Sequence, residues 1–184
     1  YLPNLIAVDM AHSRLKALEA RIIGEKMALL GAREVREQWS NVRIGDVPIC
    51  IKGFGLLGSS VGEALIRLGY PPDAITVFDP SPEARAKAAA LGCQVRARDE
   101  TQERDRAVVF VCTSVASVGV DNAASFARDA LFLSLTSEGK GIQLDAIKGA
   151  AFDFEPVAVG ISGPRFKRRA KPRTRFGSDI TNLI

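Results

Sequence analysis

The chain has few of the residues from which metal centres and disulfide frameworks are built. It contains one histidine and three cysteines. No Cys-x-x-Cys pair and no histidine cluster occurs, which argues against a zinc site and against a disulfide scaffold. Cys50 and Cys112 lie within apolar runs, where a thiol packs as a small hydrophobic side chain. We therefore expect a protein of the reducing cytoplasm.

Long apolar runs are also absent from the sequence. No run approaches the roughly 20 residues that cross a bilayer, and no secretory signal is visible, so we expect no membrane partner. Hydrophobic residues make up 47% of the chain and charged residues 25%, values typical of globular domains. The 184 residues are enough for one domain with an appendage. Because the first residue is Tyr1 and not methionine, we expect a trimmed chain.

Glycine is used in one informative pattern. Gly53, Gly55 and Gly58 form a Gly-x-Gly-x-x-Gly motif, which follows a β-branched run at 47–51. A helix-like stretch comes next, and then a second apolar run that ends in Asp79. This order of strand, glycine turn, helix, strand and acid predicts the first βαβ unit of a dinucleotide-binding fold. The alternative is a glycine turn in an α/β protein that binds no nucleotide.

Each glycine has a physical role in the predicted unit. Gly53 permits the tight turn, Gly55 lets a pyrophosphate approach the backbone, and Gly58 lets the helix pack closely on the sheet. The N-terminus of that helix offers N–H groups and a positive dipole end to phosphates. The whole turn is predicted to contact the cofactor: Gly53, Phe54, Gly55, Leu56, Leu57 and Gly58.

Asp79 sets the expected choice of cofactor. A carboxylate at the end of the second strand accepts a hydrogen bond from a ribose 2′-OH and repels a 2′-phosphate. We therefore predict NAD as the cofactor in preference to NADP.

Further apolar runs predict more strands, at 93–95, 107–112, 131–135 and 157–159. Continuous apolar strands are typical of a parallel sheet that is covered on both faces. The predicted fold is a Rossmann-type, doubly wound parallel α/β sheet over residues 46–184. Thr113, Ser114 and Thr136 directly follow two of these strands, where ligands bind in such sheets. Turn chemistry is the alternative explanation for these hydroxyl side chains.

Residues 1–45 are predicted to be an N-terminal helical segment or linker. Apolar residues recur there at helical spacing, in two sets: Leu15, Leu18, Ile22 and Leu29, and Ile23, Met27 and Leu30. Gly24 and Gly31 are the two positions at which this helix could be interrupted. The stripe fits a helix packed on the sheet edge, a linker to a missing domain, or a homo-oligomer contact, and the sequence leaves all three open.

A basic segment lies near the end of the chain. Seven of the eleven residues at 165–175 are Lys or Arg. Such a segment suits nucleic-acid phosphates, but it contains one aromatic residue and so lacks a stacking platform. We favour a solvated hairpin that turns at Lys171 and Pro172, and we expect no nucleic-acid partner.

Three parts of the chain resemble the NAD-binding domain of S-adenosyl-L-homocysteine hydrolases. They are the glycine turn, the segment Thr76-Val77-Phe78-Asp79-Pro80 and the end of the 107–114 run. The segment Ser178-Asp179-Ile180-Thr181-Asn182-Leu183 is similar to that family's Gly-Arg-Leu-Val-Asn-Leu, and the resemblance implies that Asn182 contacts the cofactor. Val77 stands where the family has its ribose-binding Glu, so Asp79 would take that role.

The ending Phe78-Asp79-Pro80 also resembles D-2-hydroxyacid dehydrogenases, in which the ribose-binding Asp directly precedes Pro. Neither resemblance supplies a complete catalytic set. The only histidine, His12, precedes the whole fold, and Glu138 and Lys140 are weak catalytic candidates because they follow a strand end. We expect either part of an NAD-dependent enzyme, with an unidentified small-molecule substrate and a substrate domain outside this chain, or a non-catalytic nucleotide-binding module.

Overall fold

The computed structural model describes residues 13–39, 42, 46–97, 107–119, 130–135, 141–143, 152–160 and 163–170. The helices are α1 (Arg14–Gln38), α2 (Leu56–Arg67) and α3 (Pro82–Ala90), with a short 3-10 turn at Pro72–Ala74. The strands are β1 (Ile49–Lys52), β2 (Ile75–Phe78), β3 (Gln94–Arg96), β4 (Val108–Val111), β5 (Leu131–Ser134), β6 (Phe152–Gly160) and β7 (Gly163–Ala170).

The sheet begins as five parallel strands in the order β3-β2-β1-β4-β5. The chain therefore leaves β1 toward β2 on one side and later returns to β4 on the other side. Such a reversal of strand order opens a crevice at the carboxyl ends of β1 and β4. The predicted Rossmann-type α/β fold is confirmed.

The far edge of the sheet is antiparallel. β7 pairs antiparallel with β5, and β6 pairs antiparallel with β7. The expected strand at 157–159 lies within β6, but it belongs to this hairpin and not to the parallel series. The first six residues of the basic segment lie in β7. Lys171 and Pro172 lie outside the described residues, so the turn predicted there stays a prediction.

Two apolar clusters sandwich the parallel strands. All four positions of β1, β2, β4 and β5 are buried, as continuous β-branched and aromatic runs predict. The first-face cluster includes Ile51, Val77 and Phe110 together with buried apolar residues from each of the three helices. The second-face cluster includes Val109 and Phe132 and no residue of a described helix. The connections at 98–106 and 120–129 lie outside the described residues.

Helix α1 is continuous, so neither Gly24 nor Gly31 interrupts it. Ser13 caps the helix by accepting a hydrogen bond from the Lys16 N–H at 3.2 Å. A Cβ on Gly24 would lie 2.6 Å from the Ser60 Cβ of α2, and one on Gly31 would lie 2.7 Å from the Phe110 ring. Both glycines are therefore close-packing positions, where α1 meets α2 and the sheet.

The buried side of α1 is made mostly of small residues. It comprises Ala20, Gly24, Met27, Ala28, Gly31, Ala32, Glu34 and Val35. The predicted set of Leu15, Leu18, Ile22 and Leu29 instead lies on the exposed side, with 46–64% of each residue accessible. Helix α1 packs on α2 and on the first face of the sheet and not at its edge. The linker and the homo-oligomer contact stay predictions. No helix in the described part of the chain is both long and apolar enough to cross a membrane.

We expect Gly24→Ala to destabilise the domain, although alanine is the better helix former. The new Cβ would lie within 3 Å of the Ser60 backbone carbon as well as its Cβ, so α1 and α2 would have to separate. Overpacking of this kind costs about 1–3 kcal/mol, which exceeds the roughly 1 kcal/mol that alanine gains over glycine in a helix. Urea unfolding measures the change. Lys26→Ala, at an exposed position of α1, is the control, and a Gly24→Ala variant as stable as that control would contradict the close contact.

Tyr70 makes the stability of the domain sensitive to alkaline pH. The residue follows α2 and is 3% exposed, and burial, opposed by the nearby Arg36, raises its pKa to about 12. Between about pH 10 and 12 the unfolded chain releases the phenol proton while the folded chain keeps it. The free energy of unfolding should therefore fall across this window by about 2–3 kcal/mol more in the wild type than in Tyr70→Phe. Urea unfolding of both proteins at pH 9 and pH 11.5 tests this, and equal losses would show that the phenol does not contribute.

Candidate functional site

The turn after β1 has the geometry that its glycines require. Gly53 has a φ of +85°, a conformation that favours glycine. Its N–H donates to the Phe78 carbonyl oxygen at 2.8 Å, which ties the turn to the end of β2. A Cβ on Gly53 would also lie 2.8 Å from the Thr113 Cγ2. The predicted residues Gly53 and Thr113 therefore lie side by side at the mouth of the crevice.

The other two glycines of the motif differ sharply in their surroundings. A Cβ on Gly58 would lie 1.9 Å from the Gly53 carbonyl oxygen, whereas a Cβ on Gly55 would have no atom within 4 Å. Gly58 thus lets the first turn of α2 rest on the glycine turn. Gly55 is the N-cap of α2 and faces open space, which a side chain would fill.

The N-terminus of α2 suits an anion. Gly55 provides no side-chain cap, and the first turn of the helix contains no acidic residue. Leu56 begins the helix and is 46% exposed, and Leu57 is half-buried. Helix N-terminal N–H groups that no side chain caps are well suited to phosphate oxygens.

Asp79 lies directly beside the turn. Its carboxylate accepts hydrogen bonds from the Phe54 N–H at 2.6 Å and from the Ser81 N–H at 2.8 Å. The residue is 9% exposed. The sequence placed Asp79 near the cofactor, but it did not show that this carboxylate also anchors the glycine turn. Phe54 contributes its backbone to this site, because its side chain is 2% exposed and belongs to the first-face cluster.

Helix α3 begins close to the carboxyl end of β2, beside Asp79. Ser81 caps α3 by accepting from the Ala84 N–H, and its hydroxyl donates to Glu83 at 2.6 Å. The hydroxyl lowers the pKa of the Glu83 carboxyl. Arg85 donates to the carbonyl oxygens of Asp79 and Pro80, at 2.7 and 2.8 Å. The guanidinium thus fixes the backbone that presents the Asp79 carboxylate.

The loop at 113–119, which we call the crevice loop, lies across β1 from Asp79. Thr113 Oγ1 lies 2.8 Å from both the Val115 carbonyl oxygen and the Ser117 hydroxyl. The structure therefore supports turn chemistry for Thr113, while its methyl group packs beside Gly53. Ser114 is exposed at the same strand end. Thr136, Glu138, Lys140 and Asn182 lie outside the described residues, so their roles stay predictions.

The sequence analysis missed one residue at this edge of the sheet, Lys52. It is the last residue of β1, is 5% exposed, and its ammonium group donates to the Ser117 carbonyl oxygen of the crevice loop. A lysine at the end of an otherwise apolar strand was the available signal. Cys112 also lies near the crevice, and desolvation raises the pKa of its thiol.

Solved structures share this fold. A dipicolinate synthase subunit from Bacillus halodurans superposes with a TM-score of 0.58 at 17% identity, over 77% of this chain and 47% of that protein. The corresponding dipicolinate synthase polypeptide from Bacillus subtilis superposes with a TM-score of 0.54 at 16% identity, over 77% of this chain and 46% of that protein. L-tryptophan dehydrogenase from Nostoc punctiforme superposes with a TM-score of 0.50 at 15% identity, over 68% of this chain and 36% of that protein.

No protein-family model and no curated protein sequence matches the chain. The chain spans less than half the length of each of these three solved structures. The expected resemblance to S-adenosyl-L-homocysteine hydrolase is not among these likenesses and stays a prediction. At such identities the likeness concerns the fold alone, and in fold this chain is a Rossmann-type α/β domain similar to part of a dipicolinate synthase.

Proposed function

We propose that this chain is an NAD-binding domain that serves hydride transfer in a larger enzyme. The observation that carries the proposal is the Asp79 carboxylate, held 2.6 Å from the Phe54 N–H beside an α2 N-terminus without a side-chain cap. The carboxylate and the N-terminus of α2 lie side by side where the strand order of the sheet reverses. In an adenosine diphosphate group, the carboxylate suits the ribose and the helix N-terminus suits the pyrophosphate. The fold alone would not justify the proposal.

The residues present fit the cofactor in shape. The open space beside Gly55, which a Cβ would fill, would receive the pyrophosphate against the first turn of α2. Asp79 would accept from the ribose on the β2 side. The nicotinamide would then extend toward β4 and the crevice loop. The bound cofactor would accept or return a hydride, and this chain's residues would hold it in place.

NAD is the proposed choice over NADP. Each Asp79 oxygen already accepts one backbone hydrogen bond and has a second lone pair for a ribose hydroxyl. A 2′-phosphate would bring negative charge against this carboxylate.

The substrate half of the enzyme is proposed to lie on another domain or subunit. Removal of a hydride from an alcohol needs a general base that takes the hydroxyl proton, and the single histidine, His12, precedes the fold. Glu138 and Lys140 remain the candidates within this chain. The resemblances favour a hydrolase of the S-adenosyl-L-homocysteine type, with a D-2-hydroxyacid dehydrogenase as the alternative.

A non-catalytic nucleotide-binding module is the second candidate function. The lack of an identified acid–base pair favours it. The glycine turn argues for a functional phosphate site, because no contact among the described residues requires glycine at position 55.

Titration calorimetry of the 184-residue protein with NAD, NADH and NADP tests the proposal. We expect NAD and NADH to bind and NADP to bind at least about tenfold more weakly, a difference of about 1.4 kcal/mol. We also expect no release of homocysteine from S-adenosylhomocysteine and no reduction of NAD by 2-hydroxy acids. Failure of all three nucleotides to bind would refute the proposed function. Turnover of either substrate would show that this chain carries its own base, and Glu138→Gln and Lys140→Met would then identify it.

A further inference from the structure

Lys52 occupies an unusual position for a lysine. It is 5% exposed at the carboxyl end of β1, and its neighbours in register are Phe78 on β2 and Val111 on β4. Both neighbours belong to the apolar second-face cluster. A lysine is rarely buried unless a specific interaction compensates for the loss of water.

The interaction that compensates reaches the crevice loop. The Lys52 ammonium group donates to the Ser117 carbonyl oxygen, 65 residues away in sequence. On the opposite side of the peptide chain, the Ser117 and Val118 N–H groups donate to the Gly141 carbonyl oxygen at 2.9 and 3.1 Å. Val118 and Ile142 form a parallel bridge over the second face. Lys52 is therefore the support of the crevice loop from the β1 side.

The crevice loop lies on the nicotinamide side of the proposed cofactor. β2 and β4 flank β1 on opposite sides, so Asp79 and the crevice loop face each other across the glycine turn. If the adenosine ribose binds at Asp79 and the pyrophosphate at α2, the nicotinamide half must pass toward β4.

We propose that Lys52 is a positioning residue that holds the crevice loop in the shape that receives the nicotinamide ring of the cofactor. The inference rests on the proposed function. If Lys52 only stabilised the core, its loss would weaken the binding of all ligands alike. A positioning role predicts instead that its loss weakens the binding of ligands that carry nicotinamide. Ligands that end at the ribose attached to the pyrophosphate should bind as before.

The test compares NADH with ADP-ribose, which lacks the nicotinamide ring, by calorimetry on wild type and Lys52→Met. Methionine keeps the length and apolar stem of lysine and removes the donor. We expect the Kd for NADH to rise by about tenfold or more, as the loss of a hydrogen bond from a charged group predicts, while the Kd for ADP-ribose changes less than about twofold. Lys26→Met, at an exposed position of α1, should alter neither.

Equal effects on both ligands, or no effect, would overturn the inference while leaving the proposed function intact. Failure of the wild type to bind either ligand would instead refute the proposed function. If Lys52→Met does not fold, hydrogen exchange on the wild type decides the question. NADH, but not ADP-ribose, should slow amide exchange in residues 113–119, and equal protection by both ligands would overturn the inference.

Discussion

Replacing Gly58 by alanine is expected to disrupt the glycine turn and the start of α2 together. The added Cβ would lie 1.9 Å from the Gly53 carbonyl oxygen and 2.9 Å from its carbon. Both are backbone atoms of a turn that is fixed by the hydrogen bond from Gly53 to Phe78, so the helix would have to move. We expect a loss of about 3 kcal/mol in the free energy of unfolding, at the upper end of overpacking effects. Urea unfolding followed by circular dichroism measures it.

Gly55→Ala is the matched control for Gly58→Ala, because it makes the same chemical change in the same turn. Among the described residues no atom lies within 4 Å of the added Cβ, so the stability should fall only by the roughly 0.5–1 kcal/mol by which glycine is preferred over alanine at an N-cap. NAD binding should nevertheless weaken, since the methyl group would fill the space proposed for the pyrophosphate. Native stability in Gly58→Ala would contradict the packing of α2. Unchanged NAD affinity in Gly55→Ala would show that the pyrophosphate does not bind at this position.

Replacing Asp79 by alanine is expected to impair both the turn and the cofactor site. The Phe54 and Ser81 N–H groups would lose their acceptor, and an unsatisfied buried N–H costs about 1–3 kcal/mol. NAD affinity should fall by a similar free energy, about 1–3 kcal/mol, because the charge-assisted bond to the ribose is lost. Chemical unfolding and calorimetry measure the two effects separately.

Asp79→Asn separates the charge from the shape of the same side chain. The amide keeps one acceptor for the turn and removes the charge that would repel a 2′-phosphate. We therefore expect the preference for NAD over NADP to shrink, with a smaller loss of stability than in Asp79→Ala. An unchanged ratio of the two affinities in both variants would show that Asp79 anchors the turn and does not select the cofactor.

Part of the candidate site was predictable because its requirements are local. Gly53 needs a positive φ, and a strand that ends in an acid after a glycine turn is a pattern within one βαβ unit. The hydrogen bond from Phe54 to Asp79 was not predictable, because it depends on how closely β1 and β2 place the two residues. Lys52 was missed for the same reason: its acceptor on Ser117 becomes a neighbour only when β4 pairs with β1.

The sequence by itself determined the parallel strands, the glycine turn and the place of Asp79. Continuous apolar runs and backbone conformations that require glycine depend on residues only a few positions apart, so the sequence shows them directly. Only the tertiary structure decided which side of α1 is buried, because Gly24 and Gly31 contribute to packing through the absence of a side chain, which a hydrophobic pattern does not register. It also decided that β6 and β7 close the sheet as an antiparallel hairpin and that Lys52 supports the crevice loop. The pairing of β7 with β5, the packing of α1 and the Lys52 hydrogen bond join residues far apart in the chain, and such contacts exist only once the chain has folded.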